Sequence, residues 1–389
     1  MTSNYKRLGD FIEFYNIRAI ELDKNLDIES IRGISSISKS FIKTKANLVG
    51  VVADKYKVVT KNCFAYNPNT ARMGDRIPIA LNTTSEIVLV SSIYPTFKIV
   101  KTNELVPEYL MMWFKRCEFD RYARNKSHGS AREVFDIEEM NELVMPIPSI
   151  EKQQELVREY NTIQNRIALN NQLISKLEET AQAIYKQWFV DFEFPDENGK
   201  PYKSNGGNMV WCEELEKEIP EGWEVGTIDD LFTFQRGHDL PSQDRVFGIY
   251  PIYASTGISE YHNEFKSDKP TIITGRSGTL GELFYVHEAC WPLNTTLYIK
   301  SFKNAKPFYA FYFLKTVNLK EMGAGSAVPT LNRNDIHALK KEIPSKYVIN
   351  LFEDKISKIF FLSKTYKLQN QKLEELKELL LGRMVRVEN

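Results

Sequence analysis

From Leu156 onward the apolar positions step by four and three residues, through Leu156, Tyr160, Ile163, Ile167, Asn170, Ile174, Leu177, Ala181, Ile184 and Trp188. That spacing predicts a long helix with one coiled-coil seam, interrupted by the polar Asn170. A second seam follows near the other end of the sequence. Phe352, Ile359, Tyr366, Leu373 and Leu380 recur every seven residues, with Ile356 and Met384 on the same stripe and Asn370 as the polar position. Pro148 and Pro344 stand just ahead of the two seams, where a helix start tolerates proline. A helix of about 38 residues is about 57 Å long at ~1.5 Å per residue, too long to be covered by one small domain. Elsewhere the pattern is mixed. Short β-branched runs (49–52, 87–90, 271–273) predict strands, and Glu108 to Arg116 and Phe308 to Lys315 predict a matching helix in each half.

The chain repeats itself once. Gly129-Ser130-Ala131 returns as Gly325-Ser326-Ala327, Ile147-Pro148-Ser149 as Ile343-Pro344-Ser345, and Lys176-Leu177-Glu178-Glu179 as Lys372-Leu373-Glu374-Glu375, each 196 residues later. Upstream the separation widens: Pro107, Tyr109 and Lys115 match Pro307, Tyr309 and Lys315 at 200, and Arg72, Gly74 and Tyr94 match Arg276, Gly278 and Tyr298 at 204. Leu8, Asp10 and Phe14 match Ile228, Asp230 and Phe234 at 220, as expected if surface loops of the first half are longer. Two units of this size are too long for a solenoid and read as tandem homologous modules.

A helix with one apolar stripe must bury it, and its own repeat is the nearest complementary surface. The expected fold class is therefore α+β. Two homologous mixed α/β domains are joined by two long antiparallel coiled-coil helices with pseudo-two-fold symmetry. The expected boundaries are 1–149 for the first domain, 150–190 for the first helix, 191–220 for an acidic, turn-rich linker, 221–345 for the second domain and 346–389 for the second helix. The alternative is that each helix docks on its own module or pairs with a second copy of the chain.

Charge adds little on its own, since 51 basic and 51 acidic residues balance. Residues 191–221 hold nine acids and three lysines, which leaves the rest of the chain with 48 basic and 42 acidic groups, an excess of +6. The start lacks an apolar signal segment, and no run approaches the ~18 apolar residues of a membrane span, so the expected location is the cytoplasm. Cys63, Cys117, Cys212 and Cys290 stand far apart with no C-x-x-C pair, and the five histidines are isolated, so no metal site is expected. No phosphate-binding P-loop, no dinucleotide fingerprint and no amino-methyltransferase Asp/Asn-Pro-Pro-aromatic motif is present. The expectation is a chain without catalysis or cofactor of its own.

The central stretch Trp188-Phe189-Val190-Asp191-Phe192-Glu193-Phe194-Pro195, continuing through Gly199-Lys200-Pro201-Tyr202-Lys203 and Ile219-Pro220-Glu221-Gly222-Trp223-Glu224-Val225, resembles Type I restriction-modification specificity subunits. So does Ile147-Pro148-Ser149 followed by Glu151, Gln153 and Gln154, and so do the Arg-x-Gly turns and Gly-Ser-Ala loops; the resemblance runs from Leu8 to Met384. It implies two target-recognition domains on an antiparallel coiled coil. It also implies double-stranded DNA, two methyltransferase (modification) subunits and two restriction (ATP-dependent translocase and endonuclease) subunits as partners. S-adenosylmethionine, ATP and Mg would belong to those partners. One departure is Lys346-Tyr347-Val348, where the first helix carries its Glu/Gln cluster; it implies that the two halves hold the modification subunits unequally. The competing class is a duplicated coiled-coil scaffold or regulatory DNA-binding protein without a methyltransferase partner.

Guanidinium groups suit guanine O6 and N7, amides suit adenine, and glycine-turn N–H groups suit phosphate. The candidate DNA-facing residues are therefore Arg72 and Arg276 in their Arg-x-Gly turns and Ser130 and Ser326 in their matched loops. Asn67, Gln235, Arg236, Arg132 and Arg333 follow as further candidates, because base-reading side chains need not be matched in modules with different targets.

Overall fold

The computed structural model describes residues 4–22, 26–69, 76–127, 133–323 and 329–386. The chain divides into two compact units, Met1–Leu169 with Gln369–Asn389, and Asn170–Leu368.

The first unit opens with Tyr5–Arg7 paired antiparallel to Val144–Pro146, so that the beginning and end of its globular part close on each other. Leu8 then donates to the Leu143 carbonyl at 2.7 Å. Its main sheet has four antiparallel strands in the spatial order Ile12–Tyr15, Thr96–Ile99, Cys63–Tyr66, Ile79–Leu81. Across it lies the helix Pro107–Phe114, with proline in its first turn and every residue from Tyr109 to Phe114 buried. A helix apolar all round must sit inside, and this one does. Phe64 stacks on Phe97 with ring centres 4.8 Å apart, and Phe114 meets both edge-on. A hairpin, Arg32–Ile34 with Phe41–Lys43, and a pair, Lys57–Val59 with Val88–Val90, complete the unit.

The second unit repeats this frame. Glu224–Thr227 pairs with Lys340–Ile343, and Ile228 donates to the Leu339 carbonyl at 3.0 Å. That bond links residues 220 and 196 positions beyond Leu8 and Leu143, so both ends of the repeat keep one register. The four-stranded sheet runs Phe232–Arg236, Thr296–Phe302, Thr271–Gly275, Leu283–Val286, and the helix Pro307–Thr316 crosses it. Where the first unit has its hairpin, the second has a three-stranded sheet of Tyr250–Ala254, Gly257–His262 and Trp291–Pro292.

The long helices are Ile150–Phe189, 40 residues, and Lys346–Arg383, 38 residues. In the first unit Leu156, Tyr160 and Ile163 share a core with Leu380, Leu381 and Met384. In the second, Ala181, Tyr185 and Trp188 share a core with Val348, Ile349, Phe352 and Ile356. The early turns of one helix therefore meet the late turns of the other in each unit, and the two segments there run antiparallel. Leu156, Tyr160, Ile163, Ala181, Trp188, Phe352, Ile356, Leu380 and Met384 are buried, and Ile167, Ile174, Leu177, Ile184, Ile359, Tyr366 and Leu373 half-buried. Asn170 is fully buried and Asn370 half-buried.

Residues 191–220, expected as a linker, are packed. Phe192, Phe194, Cys212 and Ile219 belong to the second unit's core, together with Trp223, and Met209–Cys212 pairs with Lys217–Pro220 in a hairpin. Acidic composition concealed this: Glu213, Glu214 and Glu216 lie on the hairpin turn and Asp191 and Glu193 flank the buried Phe192, so apolar residues that pack inward stand among charged ones. Among the described residues, no helix is long and apolar enough to cross a membrane.

Candidate nucleic-acid interface

Antiparallel order brings the exit of Phe232–Arg236, the exit of Thr271–Gly275 and the start of Thr296–Phe302 to one end of the second unit's sheet. Three loops therefore meet there, and loops held by a rigid sheet are where binding side chains collect. Arg236 Nε donates to the Asn294 carbonyl at 3.4 Å, and Arg276 Nη1 approaches the same oxygen at 3.5 Å. Arg236 Nη2 lies 3.6 Å from Asp239 Oδ1, which also accepts from the Asn294 amide. The Arg276 peptide is anchored on both sides: its N–H donates to Thr295 O at 2.8 Å, and its carbonyl accepts from Leu331 N at 2.8 Å. That last bond draws in the segment leading to Arg333, which is exposed at the start of the helix Arg333–His337.

Close approach of these loops requires glycine. A Cβ on Gly237 would stand 2.1 Å from the Leu293 carbonyl oxygen, and one on Gly275 would stand 1.8 Å from that of Thr279. Both distances lie far inside contact, so both guanidinium groups ride on turns that a larger residue would force open.

Beneath the loops, His337 Nε2 accepts from the Phe234 backbone N–H at 2.8 Å. Burial pushes this imidazole's pKa down, which keeps it neutral and able to accept; the nearby Asp229 carboxylate opposes the shift. His238 Nε2 lies 3.2 Å from the Tyr298 hydroxyl, and burial lowers its pKa too.

Gln235, Arg236, Arg276 and the backbone leading to Arg333 are thus gathered at one sheet end. Asn294, Asp239 and His238 belong there as well. The polar run Gln235-Arg236-Gly237-His238-Asp239 directly after an apolar strand was their sequence signal; Asn294 had none, because only strand pairing brings it across. In the first unit Asn67 is half-buried, its N–H bonded to Pro78 O at 2.9 Å and its Oδ1 accepting from Asn69 N at 3.1 Å. It holds a turn. Arg72, Ser130, Arg132 and Ser326 lie outside the described residues.

The match of Arg72 with Arg276 needs correction. Phe135 N donates to Pro68 O at 2.9 Å, as Leu331 N donates to Arg276 O. Phe135 and Leu331 are 196 apart, so Pro68 occupies the place of Arg276. Likewise Tyr15 faces Thr96 where Gln235 faces Tyr298, so Thr96, not Tyr94, is the counterpart of Tyr298. Hydrogen-bond register pins strands and lets loops absorb length differences. The single offset of 204 drawn through Arg72, Gly74 and Tyr94 is therefore four residues short at Pro68 and two residues too long at Thr96.

Residues 220–378 match the family described as the Type I restriction modification DNA specificity domain. The chain is 25% identical over 312 residues to the MjaIX specificity subunit of Methanocaldococcus jannaschii, covering 74% of this chain and 70% of that one. It is 24% identical over 362 residues to the HindI specificity subunit of Haemophilus influenzae, covering 73% and 77%. The crystal structure of a Type I restriction-modification S subunit from M. genitalium shares the fold, with a TM-score of 0.61 at 16% identity over 99% of this chain and 96% of that one. Residues 220–378 thus match a Type I specificity domain, and most of the chain is similar in sequence to specificity subunits of Type I restriction enzymes.

Proposed function

We propose that this chain is the DNA sequence-recognition subunit of a Type I restriction-modification complex. It reads a bipartite target, one half-site per unit, with an unread spacer between them. The observation that supports this most is the duplication of one frame, each copy built around its own sheet and its own loops, in a chain related to specificity subunits. Two non-identical loop sets on one repeated frame suit two different half-sites read through major-groove edges.

In this reading the chain is not an enzyme. It recruits two methyltransferase subunits and two restriction subunits in the cytoplasm, and S-adenosylmethionine, ATP and Mg belong to those partners. Methylation of a base requires it to leave the stack, which is the partner's task. The two long helices set the spacer. Methylome sequencing of a host expressing the chain with its modification subunit tests both points. The expected motif is split, and four residues inserted at equivalent points of both helices lengthen the gap and leave both half-sites unchanged. A continuous motif, or a fixed gap with altered half-sites, contradicts the reading.

A further inference from the structure

The first unit encloses a polar cavity of about 530 Å³ whose walls include Lys39, Arg76, Lys115, Tyr160 and Lys377. Asp120, Glu374 and Glu378 also line it, so four cations face three carboxylates. Two of those carboxylates are already engaged. Lys39 Nζ bonds Asp120 at 2.6 Å, and Lys377 holds Glu374. Arg76 is exposed and makes no ion pair with a described residue. Among the described residues, Lys115 has only the Tyr160 hydroxyl, at 3.1 Å, as a hydrogen-bond acceptor. Burial, then the charges of Lys377 and Lys39, push its pKa down.

The second unit fills the equivalent place with different side chains. Lys315, the counterpart of Lys115, donates to Glu178 at 3.0 Å, and Glu178 is the counterpart of Glu374. Tyr160, Gln164 and Lys377 are replaced by Ile356, Phe360 and Ala181, all in or against the apolar core. The first unit keeps an ammonium whose repeat-equivalent carboxylate has been taken by another lysine. Like charges crowded in a half-buried cavity destabilise a fold unless an anion joins them. Such local violations are expected where a site is built.

We propose that this cavity is an oxyanion site that receives a phosphate group, with Lys115, Arg76 and Lys377 as its cations and the Tyr160 hydroxyl as a further donor. The group comes either from free phosphate or from a DNA backbone. The proposal stands apart from the assignment of half-sites.

The test uses the full chain, with inorganic phosphate titrated against chloride at constant ionic strength and the melting temperature followed. A saturable rise in the wild type and in Lys315→Met, abolished in Lys115→Met, is the expected result and identifies free phosphate. If no rise occurs, duplex binding is measured against salt. A log–log salt slope shallower by about one in Lys115→Met and unchanged in Lys315→Met identifies a backbone phosphate. If Lys115→Met changes neither quantity relative to wild type, the site is refuted. Lys115→Met is expected to melt in chloride no lower than wild type, since it removes a crowded charge. If it melts much lower, Lys377→Gln, which also frees Glu374 to neutralise Lys115, carries the same comparison.

Discussion

The two units solve one problem with different residues at the start of their crossing helices. In the first, buried Gln153 accepts from the Val106 N–H at 2.8 Å and donates to the Glu104 and Pro148 carbonyls at 2.7 and 2.8 Å. In the second, the position matching Gln153 is the buried Ile349, and Glu353, one turn further along, accepts from the Phe308 and Tyr309 N–H groups. A helix start needs acceptors for its free N–H groups, and the long helix supplies one in each unit. The neutral amide works at any pH. The half-buried carboxylate does not, because burial lifts its pKa to about 7 against the two N–H bonds that lower it. The comparison separates what the repeat must keep, strand register and a capped helix, from what each copy is free to change.

The largest effect that can break the comparison is a core truncation. Phe64→Ala empties a fully buried site in the first unit and is expected to cost about 3–5 kcal/mol. Hydrogen exchange should then accelerate in Cys63–Tyr66 and Thr96–Ile99, with protection of Thr271–Gly275 retained. Loss of protection in both sheets together would mean that the units are one cooperative core.

Next is the Lys39–Asp120 pair, both partners buried, with Lys39 also donating to the Phe114 carbonyl at 2.5 Å and lying over the Phe119 ring. Lys39→Met strands a buried carboxylate and should cost about 3 kcal/mol or more, whereas Lys39→Met with Asp120→Leu recovers much of that loss. Urea unfolding of the two variants distinguishes them; equal destabilisation would show that the lysine acts through packing alone.

The third test is the pH dependence of the Glu353 cap. Its folded pKa is raised, so its contribution is fully present below the ordinary carboxyl pKa and is lost as pH rises through about 7. Wild type should lose up to about 3 kcal/mol between pH 4.5 and pH 8 from this group, and Glu353→Gln should remove that slope. Parallel stability–pH curves for the two proteins would show that the carboxylate is solvated.

The repeat and both long helices were legible in the sequence, because helix periodicity and a constant offset survive any change of loop. The pairing of the two helices was legible for the same reason, since two single-stripe rods leave few other ways to cover Leu156, Tyr160, Phe352 and Leu380. What escaped depends on non-local register. Asn294 reaches Arg236 only through the pairing of two strands about sixty residues apart. Pro68 takes the place of Arg276 only once strand bonds are drawn, and residues 191–220 hide their core aromatics among eight acids. The buried Lys39 could not be foreseen, because a lone lysine in a serine-rich turn reads as solvated.

The central claim is that each unit reads its own half-site. The most direct measurement is the methylation motif of a host carrying the modification subunit with either wild-type chain or the Arg236→Ala, Arg276→Ala double variant. The account predicts a relaxed or altered base preference in one half of the motif, each lost base contact weakening discrimination by about 1–3 kcal/mol, and an intact other half. A motif changed equally in both halves, or unchanged in both, contradicts it.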